Sequence, residues 1–349
     1  MAGNSFGKIY TLSSFGESHG EAVGGVIDGC PAGLALSVEQ VQAELDRRRP
    51  GYSDLSTPRR EADRVEFLSG LSEGVTTGMP IGFLVRNTDR NSRDYDELKE
   101  VYRPSHADYS WQQKYGIRDC RGGGRSSARE QIARVVGGAV ARQVLSIYGI
   151  QIESFISRIG TVGGTTSPGF ICRPDPETVE RMNALVRQVK EEGDSIGGTV
   201  DCVISGVKPG VGEPVFRRLQ AQLAHAMLTI NAARGFEYGS GFAAASMRGS
   251  EHNDAFVPAD GGIRTATNRS GGIQGGVSNG EEIYFRVAFK PVATIACPQE
   301  TVDREGRPVT LRAKGRHDPC VVPRAVPVVE AMAAMVLLDL LLEQRTTRL

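Results

Sequence analysis

Neither sign of charge is in surplus in this chain of 349 residues: 41 lysines and arginines face 41 aspartates and glutamates. A neutral chain projects no long-range field towards nucleic acid or an anionic lipid surface, so any anion site must come from local clustering of arginine. Aromatic residues are scarce at 6%, with one tryptophan, which leaves few platforms on which bases could stack. The six cysteines (30, 120, 172, 202, 297 and 320) form no C-x-x-C pair and suit free thiols in a reducing cytosol better than a disulfide framework. The N-terminus, MAGNSFGKIYTLSSFGESHG, lacks the apolar run of a signal peptide. The most apolar stretch, 326–342, is broken by Pro327, Glu330 and Asp339 and reads as a buried helix, not a membrane span. A soluble, cytoplasmic chain with no nucleic-acid or membrane partner is expected.

Several catalytic signatures are also missing. There is no G-x-S-x-G elbow, no G-K-[ST] ending to a glycine run, and no G-x-G-x-x-G opening a βαβ unit. His317 and Cys320 have no second ligand pair at metal spacing, so no metal is expected. No fixed-period repeat or low-complexity linker divides the chain, and residues 1–349 read as a single integrated domain.

What is abundant is glycine, with 43 residues, and it is concentrated beside arginine. In Arg121-Gly-Gly-Gly-Arg125-Ser126-Ser127-Ala128-Arg129-Glu130, three glycines separate two arginines and a helix start follows. Ser127 with Glu130 makes a capping box, so the first free N–H groups of that helix are expected to point back at the glycines. A helix N-terminus beside two guanidinium groups suits an anionic, phosphorylated ligand.

Helical spacing predicts elements from Val38, capped by Ser37, up to Pro50; from Ser127 to Tyr148; and over 175–192, 214–230 and 326–344. Pro214 suits a first helical turn. Short, glycine-bounded strands are predicted at 22–28, 81–85, 199–205, 242–247 and 283–289. Their connections are not uniform βαβ units, which points to an α+β architecture with helices packed on antiparallel sheet.

Two of only five histidines sit in tight-turn contexts, His19 in Gly16-Glu17-Ser18-His19-Gly20 and His106 in Arg103-Pro104-Ser105-His106. Such placements suit proton transfer near neutral pH. Arg47, Arg48 and Arg49 end one helix; three adjacent side chains cannot face the same way, so at least one turns inward to a carboxylate or phosphate. Further along come Gly271-Gly-Ile-Gln-Gly275-Gly276, Lys290-Pro291 and Lys314-Gly-Arg316-His-Asp318-Pro-Cys320. The residue chemistry alone describes an enzyme handling a phosphorylated, multiply anionic small molecule. A flavin or nicotinamide oxidoreductase, or a non-catalytic phospho-ligand binder, would use the same loops.

Six of these segments, in order along the chain, resemble chorismate synthase: Gly16–Gly20, Asp46–Gly51, Arg103–Tyr109, Arg121–Glu130, Glu192–Gly197 and Lys314–Cys320. The resemblance implies 1,4-anti-elimination of phosphate from 5-enolpyruvylshikimate 3-phosphate to give chorismate, a shikimate-pathway step in aromatic amino acid biosynthesis. It implies a requirement for reduced FMN without net redox change. It further implies a β-α-β sandwich with antiparallel sheets around central helices, a homotetramer, and a separate flavin reductase. By the same resemblance His19 assists the departing phosphate, His106 lies near the flavin N1, and Asp318 helps proton removal near N5, with Ser18 and Ser127 as auxiliary polar groups. The implied flavin contacts are Arg125, Ser126, Ser127, Asn231, Ala232, Gly275, Lys290, Pro291, Val292, Ala293, Thr294 and Arg316. Arg48 matches a position for a phosphorylated ligand, either a nicotinamide nucleotide (NADP) or the substrate. The chain departs from the family pattern in three places. Asp54 stands where relatives often carry arginine, Arg234 replaces a usual lysine, and Lys290–Thr294 is poorer in hydroxyl groups.

Overall fold

The computed structural model describes residues 3–49, 51, 62–88, 99–120, 122–164, 171, 173–259, 262–313 and 318–347. Two five-stranded antiparallel sheets organise the chain. The first contains β1 (Ser5–Phe6), β2 (Thr11–Gly16), β3 (Ala22–Asp28), β4 (Val65–Phe67) and β5 (Ile81–Arg86), in the order β1-β2-β3-β5-β4. Val23 and Ile27 of β3 lie opposite Val85 and Ile81 of β5. Alternation in β5 sends Ile81, Phe83 and Val85 to one buried face. The second sheet contains β6 (Gln151–Ile159), β7 (Val162–Gly163), β8 (Gly198–Ser205), β9 (Ala233–Tyr238) and β10 (Ile283–Phe289), in the order β9-β10-β8-β6-β7. Asp201 in β8 lies opposite Arg286 in β10 and is fully buried. It accepts two hydrogen bonds from Arg286, each 2.6 Å, and one from Ser157 at 2.6 Å. This completes the hydrogen bonding that a buried carboxylate demands.

Among the described residues, the helices of eight residues or more are α1 (Val38–Arg48), α2 (Asp108–Tyr115), α3 (Gln131–Ile147), α4 (Pro176–Glu191), α5 (Leu219–Leu228) and α6 (Val322–Gln344). Helix α3 packs on β2 and β3, α6 packs on β6 and β8, and α3 and α6 pack on each other. That last contact is close: a Cβ at Gly138 would lie 2.2 Å from the Ala331 Cα. Helix α6 is long and apolar enough to cross a membrane, yet 89% of its most apolar window is buried inside the protein. Its polar interruptions act as ties. Asp339 accepts the backbone N–H groups of Lys8, Ile9 and Tyr10, closing the turn between β1 and β2. Glu330, 2% exposed, accepts the Ser154 N–H in β6 at 2.8 Å and pairs with Arg47 and Arg142.

The α+β expectation holds, and α1, α4 and the strands at 22–28, 81–85, 199–205 and 283–289 lie within a residue or so of their predicted spans. Four local expectations need correction. Segment 242–247 is a 3₁₀ turn (Gly241–Ser246), not a strand; its alanines carry no alternating pattern, and Phe242 is exposed. The predicted helix at 214–230 begins only at Leu219, because Val215 takes φ +57° and breaks the turn after Pro214. The predicted helix at 127–148 opens with two 3₁₀ turns, Gly124–Ser126 and Ala128–Glu130, before α3. Glu130 pairs with Arg134 and does not close a capping box. Helix α6 starts four residues earlier than expected, with Pro323 in its first turn. Strands β2, β6 and β9 were not anticipated; their sequences mix polar and apolar residues without a strict alternation.

Candidate functional site

The glycine run folds into a close cradle between the two expected histidines. Gly122 and Gly123 take φ +70° and +91°, a region that residues with a Cβ rarely adopt. A Cβ on Gly122 would fall 2.5 Å from His19 Cε1, and one on Gly123 would fall 3.2 Å from His106 Cε1. Successive Cα atoms are about 3.8 Å apart, so both imidazoles lie against the same short piece of backbone. His19 is 7% exposed, with Ser18 Oγ 3.1 Å from its Nδ1. Its turn is fastened by Asn87, whose Nδ2 donates to the carbonyls of Glu17 (3.0 Å) and Gly20 (2.9 Å). His106 sits beside Ser105, which takes φ +58°, and its N–H donates to the Arg103 carbonyl at 3.2 Å. Burial lowers the His106 pKa below its usual 6.5, with Asp108 pulling against it and Arg103 and Lys290 reinforcing it. The ring is therefore neutral near pH 7.

Behind His19 stands a buried arginine cluster. Arg129 donates to Asn87 and lies 3.0 Å from Asp63. Arg48, 1% exposed, lies 3.6 Å from Asp63 and donates to the Ala128 carbonyl at 2.6 Å. Arg324 pairs with Asp318 and donates to the Arg48 carbonyl at 3.2 Å. Burial, then the neighbouring Arg324 and Arg129 charges, push Arg48 down to about 9, against the pull of Asp63 and Asp318. Among the described residues, three guanidinium groups face two carboxylates, one positive charge in excess. The Nε and Nη1 atoms of Arg48 are buried without a hydrogen-bond partner among the described residues. Buried donors of this kind are costly to leave unpaired, and an incoming oxyanion relieves both the charge and the missing bonds. Two arginines of the Arg47–Arg49 triplet thus turn inward, Arg48 beside Asp63 and Arg47 onto the buried Glu330, while Arg49 pairs with Asp46.

The sequence profile of the chorismate synthase family matches residues 10–342. The chain is 59% identical to the chorismate synthase of Parabacteroides distasonis over 353 aligned positions, covering 98% of this chain and 99% of that protein. It is 58% identical to that of Bacteroides thetaiotaomicron, covering 99% of each. A crystal structure of a chorismate synthase superposes with a TM-score of 0.77 at 33% identity, covering 97% of this chain and 93% of that one. The chain belongs to the chorismate synthase family. Its activity is that of a carbon–oxygen lyase, release of phosphate from a small-molecule substrate to give chorismate.

Not every residue that the chorismate synthase resemblance assigned to the flavin is gathered in one place. Arg125 donates to the Gly16 carbonyl (3.3 Å), Asn4 Oδ1 (3.1 Å) and Ser14 Oγ (2.8 Å), facing β2. With Ser126 and Asn231 it lines a cavity of about 480 Å³ that also meets Trp111, Arg134 and His225. Asn231 donates to the Ser126 carbonyl at 3.0 Å, and the Ala232 carbonyl accepts the Lys290 N–H at 2.9 Å. Lys290 Nζ lies 3.3 Å from the Ser105 carbonyl, which brings Lys290–Thr294 to the His106 turn. Ser127 Oγ accepts the Arg129 N–H and caps the second 3₁₀ turn; no hydrogen bond joins it to either histidine.

Gly275 stands apart. Its neighbour Gly276 accepts the Leu219 N–H at the start of α5, whereas Asn231 follows the end of that helix, about 15 Å away along its axis. Arg316 lies outside the described residues, as do Arg121, Lys314, His317, Asp54 and Cys172.

Sequence reasoning missed Asp63, Asn87 and Arg324, which carry no local motif. Arg103, Asp108 and Arg129 sit inside motifs already singled out, and that was the available signal.

Proposed function

We propose that the elimination of phosphate from 5-enolpyruvylshikimate 3-phosphate runs in the space bounded by His19, His106 and the Arg48–Arg129–Arg324 cluster. In this reading reduced FMN is held by Lys290–Thr294, Asn231, Ala232 and the Arg125–Ser127 turn. The observation that carries it is the Gly122–Gly123 backbone lying against both imidazoles, with His19's turn fastened through Asn87 to a buried arginine cluster. The residues fit a phosphorylated flavin. The cavity beside Arg125, Ser126 and Asn231 has a volume in the range of cofactor sites, and Lys290, outside its lining, supplies a cation beside the His106 turn.

When bound, reduced FMN lends electron density to the breaking carbon–oxygen bond and takes it back, so the reaction has no net redox change. The protein's part is charge and proton management. His19, set by Ser18, delivers a proton to the departing phosphate oxygen, and the arginine cluster neutralises the charge that develops there. His106 would face the bound flavin and steady its protonation state, and Asp318, held by Arg324, would take up the proton released from the substrate. Arg48 serves the substrate phosphate or a nicotinamide nucleotide. In this reading Gly275, at the other end of α5 from Asn231, joins the site from a second copy of the chain in a homotetramer. The same reading takes the chain as a single β-α-β sandwich, cytoplasmic, supplied with reduced flavin by a separate reductase. One buried apolar cluster running from Tyr10 to Leu340 supports the single unit.

The test is anaerobic incubation with reduced FMN and 5-enolpyruvylshikimate 3-phosphate. Chorismate and phosphate should appear in equal amounts, with many turnovers per flavin. Absence of both products overturns the proposal, and stoichiometric consumption of reduced flavin replaces it with an oxidoreductase.

A further inference from the structure

Asp108 opens α2 two residues beyond His106 and is 3% exposed. Its Oδ1 lies 3.0 Å from His106 Nδ1 and 3.0 Å from Arg118 Nη1, and accepts Arg103 Nη2 at 2.8 Å. Its Oδ2 accepts Arg103 Nε at 2.7 Å and the Arg103 N–H at 3.2 Å. Burial raises this carboxyl's pKa, but the Arg103 hydrogen bonds and the neighbouring His106 outweigh it and hold the group far below its ordinary 3.8. It is a fixed anion that does not take the histidine's proton. Arg118 fastens the arrangement to the chain before it, donating to the carbonyls of Lys99 (2.8 Å) and Val101 (3.1 Å) and lying 5.2 Å from the Tyr102 ring centre. Val101 in turn bridges to Asp303, next to the strand Gln299–Val302 that leads on towards Asp318.

We propose that Asp108 is the positioning residue for His106: it takes the Nδ1–H, so that Nε2 is the bare nitrogen and faces the glycine loop. A Cβ at Gly123 would lie 3.7 Å from that Nε2. A neutral imidazole has two tautomers, and the partner of one nitrogen decides which the other becomes. Only a carboxylate can accept from Arg103 at both oxygens and still face His106 Nδ1 and Arg118 Nη1, which lie 3.0 Å from Oδ1 without the alignment of a full hydrogen bond. Among the described residues, the charged groups facing the ring are Asp108 and Arg103 from its own segment and Lys290 from the end of the second sheet; Arg118 reaches it through Asp108. The catalytic consequence rests on the lyase reading above, whereas the tautomer does not.

The test has two arms on the full-length chain. In ¹⁵N-histidine NMR, with the signal assigned by its loss in His106→Ala, wild-type His106 should show a protonated Nδ1 and a bare Nε2. In Asp108→Asn it should shift towards the Nε2–H form while the other histidines keep theirs. In turnover with reduced FMN, Asp108→Asn should lose on the order of 10²-fold in kcat with little change in flavin affinity. The same substitution in a His106→Ala background should add almost nothing, because the effect passes through that ring. A wild-type Nε2–H tautomer, or losses that multiply in the double variant, overturns the proposal. The wild-type tautomer decides by itself if Asp108→Asn does not fold. A chain that shows the Nδ1–H tautomer, lost in Asp108→Asn, but no turnover overturns the lyase reading and leaves the Asp108–His106 pair standing.

Discussion

Gly122→Ala isolates what the glycine loop does for His19. The new Cβ would lie 2.5 Å from His19 Cε1 and 2.7 Å from Nδ1, while ordinary contact begins at 3.4 Å. The ring or the loop must therefore yield by about 0.9 Å, the difference between 3.4 and 2.5. His19 is enclosed and tied to Ser18, and the loop is pinned on its other side by His106, so the shift falls on the two histidines that the proposed reaction uses. A displacement near 1 Å at such groups costs about 10²-fold in rate. The positive φ adds about 1–2 kcal/mol of backbone strain, which a control must separate. Gly149→Ala is that control: it has φ +73° with no heavy atom within 4 Å of the added Cβ. The assay is phosphate release under anaerobic conditions with reduced FMN, paired with urea unfolding of each variant. Gly149→Ala should lose about 1 kcal/mol of stability and keep its turnover. Gly122→Ala should stay folded and lose about 10²-fold in kcat. A folded Gly122→Ala enzyme within about threefold of wild type would refute the idea that this backbone places His19.

Two further predictions concern buried charge. Glu330→Ala strips Arg47, Arg142 and the Ser154 N–H of their shared acceptor; because Glu44 still faces both arginines, the loss should sit near the low end for a broken buried pair, about 3 kcal/mol by urea unfolding, and a loss under about 1 kcal/mol would contradict the tie. The Asp108 carboxyl has a folded pKa below its unfolded value of 3.8, so the folded state binds fewer protons than the unfolded one in acid; its stabilisation is present above pH about 4 and fades as the pH falls further, and the stability gap between wild type and Asp108→Asn should narrow below pH about 4, with a constant gap counting against the assignment.

Much of the site's chemistry was legible in sequence because it lies in short, glycine- or proline-bounded motifs whose residues stay neighbours in space. The α1 helix was legible for a similar reason: Ser37 caps it from within three residues, accepting the Gln40 N–H at 3.2 Å. The triplet argument for Arg47–Arg49 needed only the helical repeat. The capping box at Ser127–Glu130 failed because Glu130 had a competing partner one turn ahead in Arg134, and local pattern cannot rank the two. Phe242–Met247 failed because an apolar run of that length serves a strand or a helical turn equally well. Asp63, Asn87 and Arg324 had no local signature at all, since their roles depend on partners far along the chain.

By itself the sequence determined the α+β class, the membership in the chorismate synthase family and the kinds of group available, arginine for anions and histidine for protons. Tertiary structure alone decided which of these meet. Packing of α3 against the first sheet and against α6 accompanies two long-range groupings: His19 and His106 against one glycine loop, and Arg48, Arg129 and Arg324 with Asp63 and Asp318 in one buried cluster. It also turned Arg48 inward, sent Arg125 to β2, and left Gly275 at the far end of α5. Residue type sets what a side chain can do, but burial and partner are properties of the assembled core, and they decide which nitrogen carries a proton and which cation is left short of an anion.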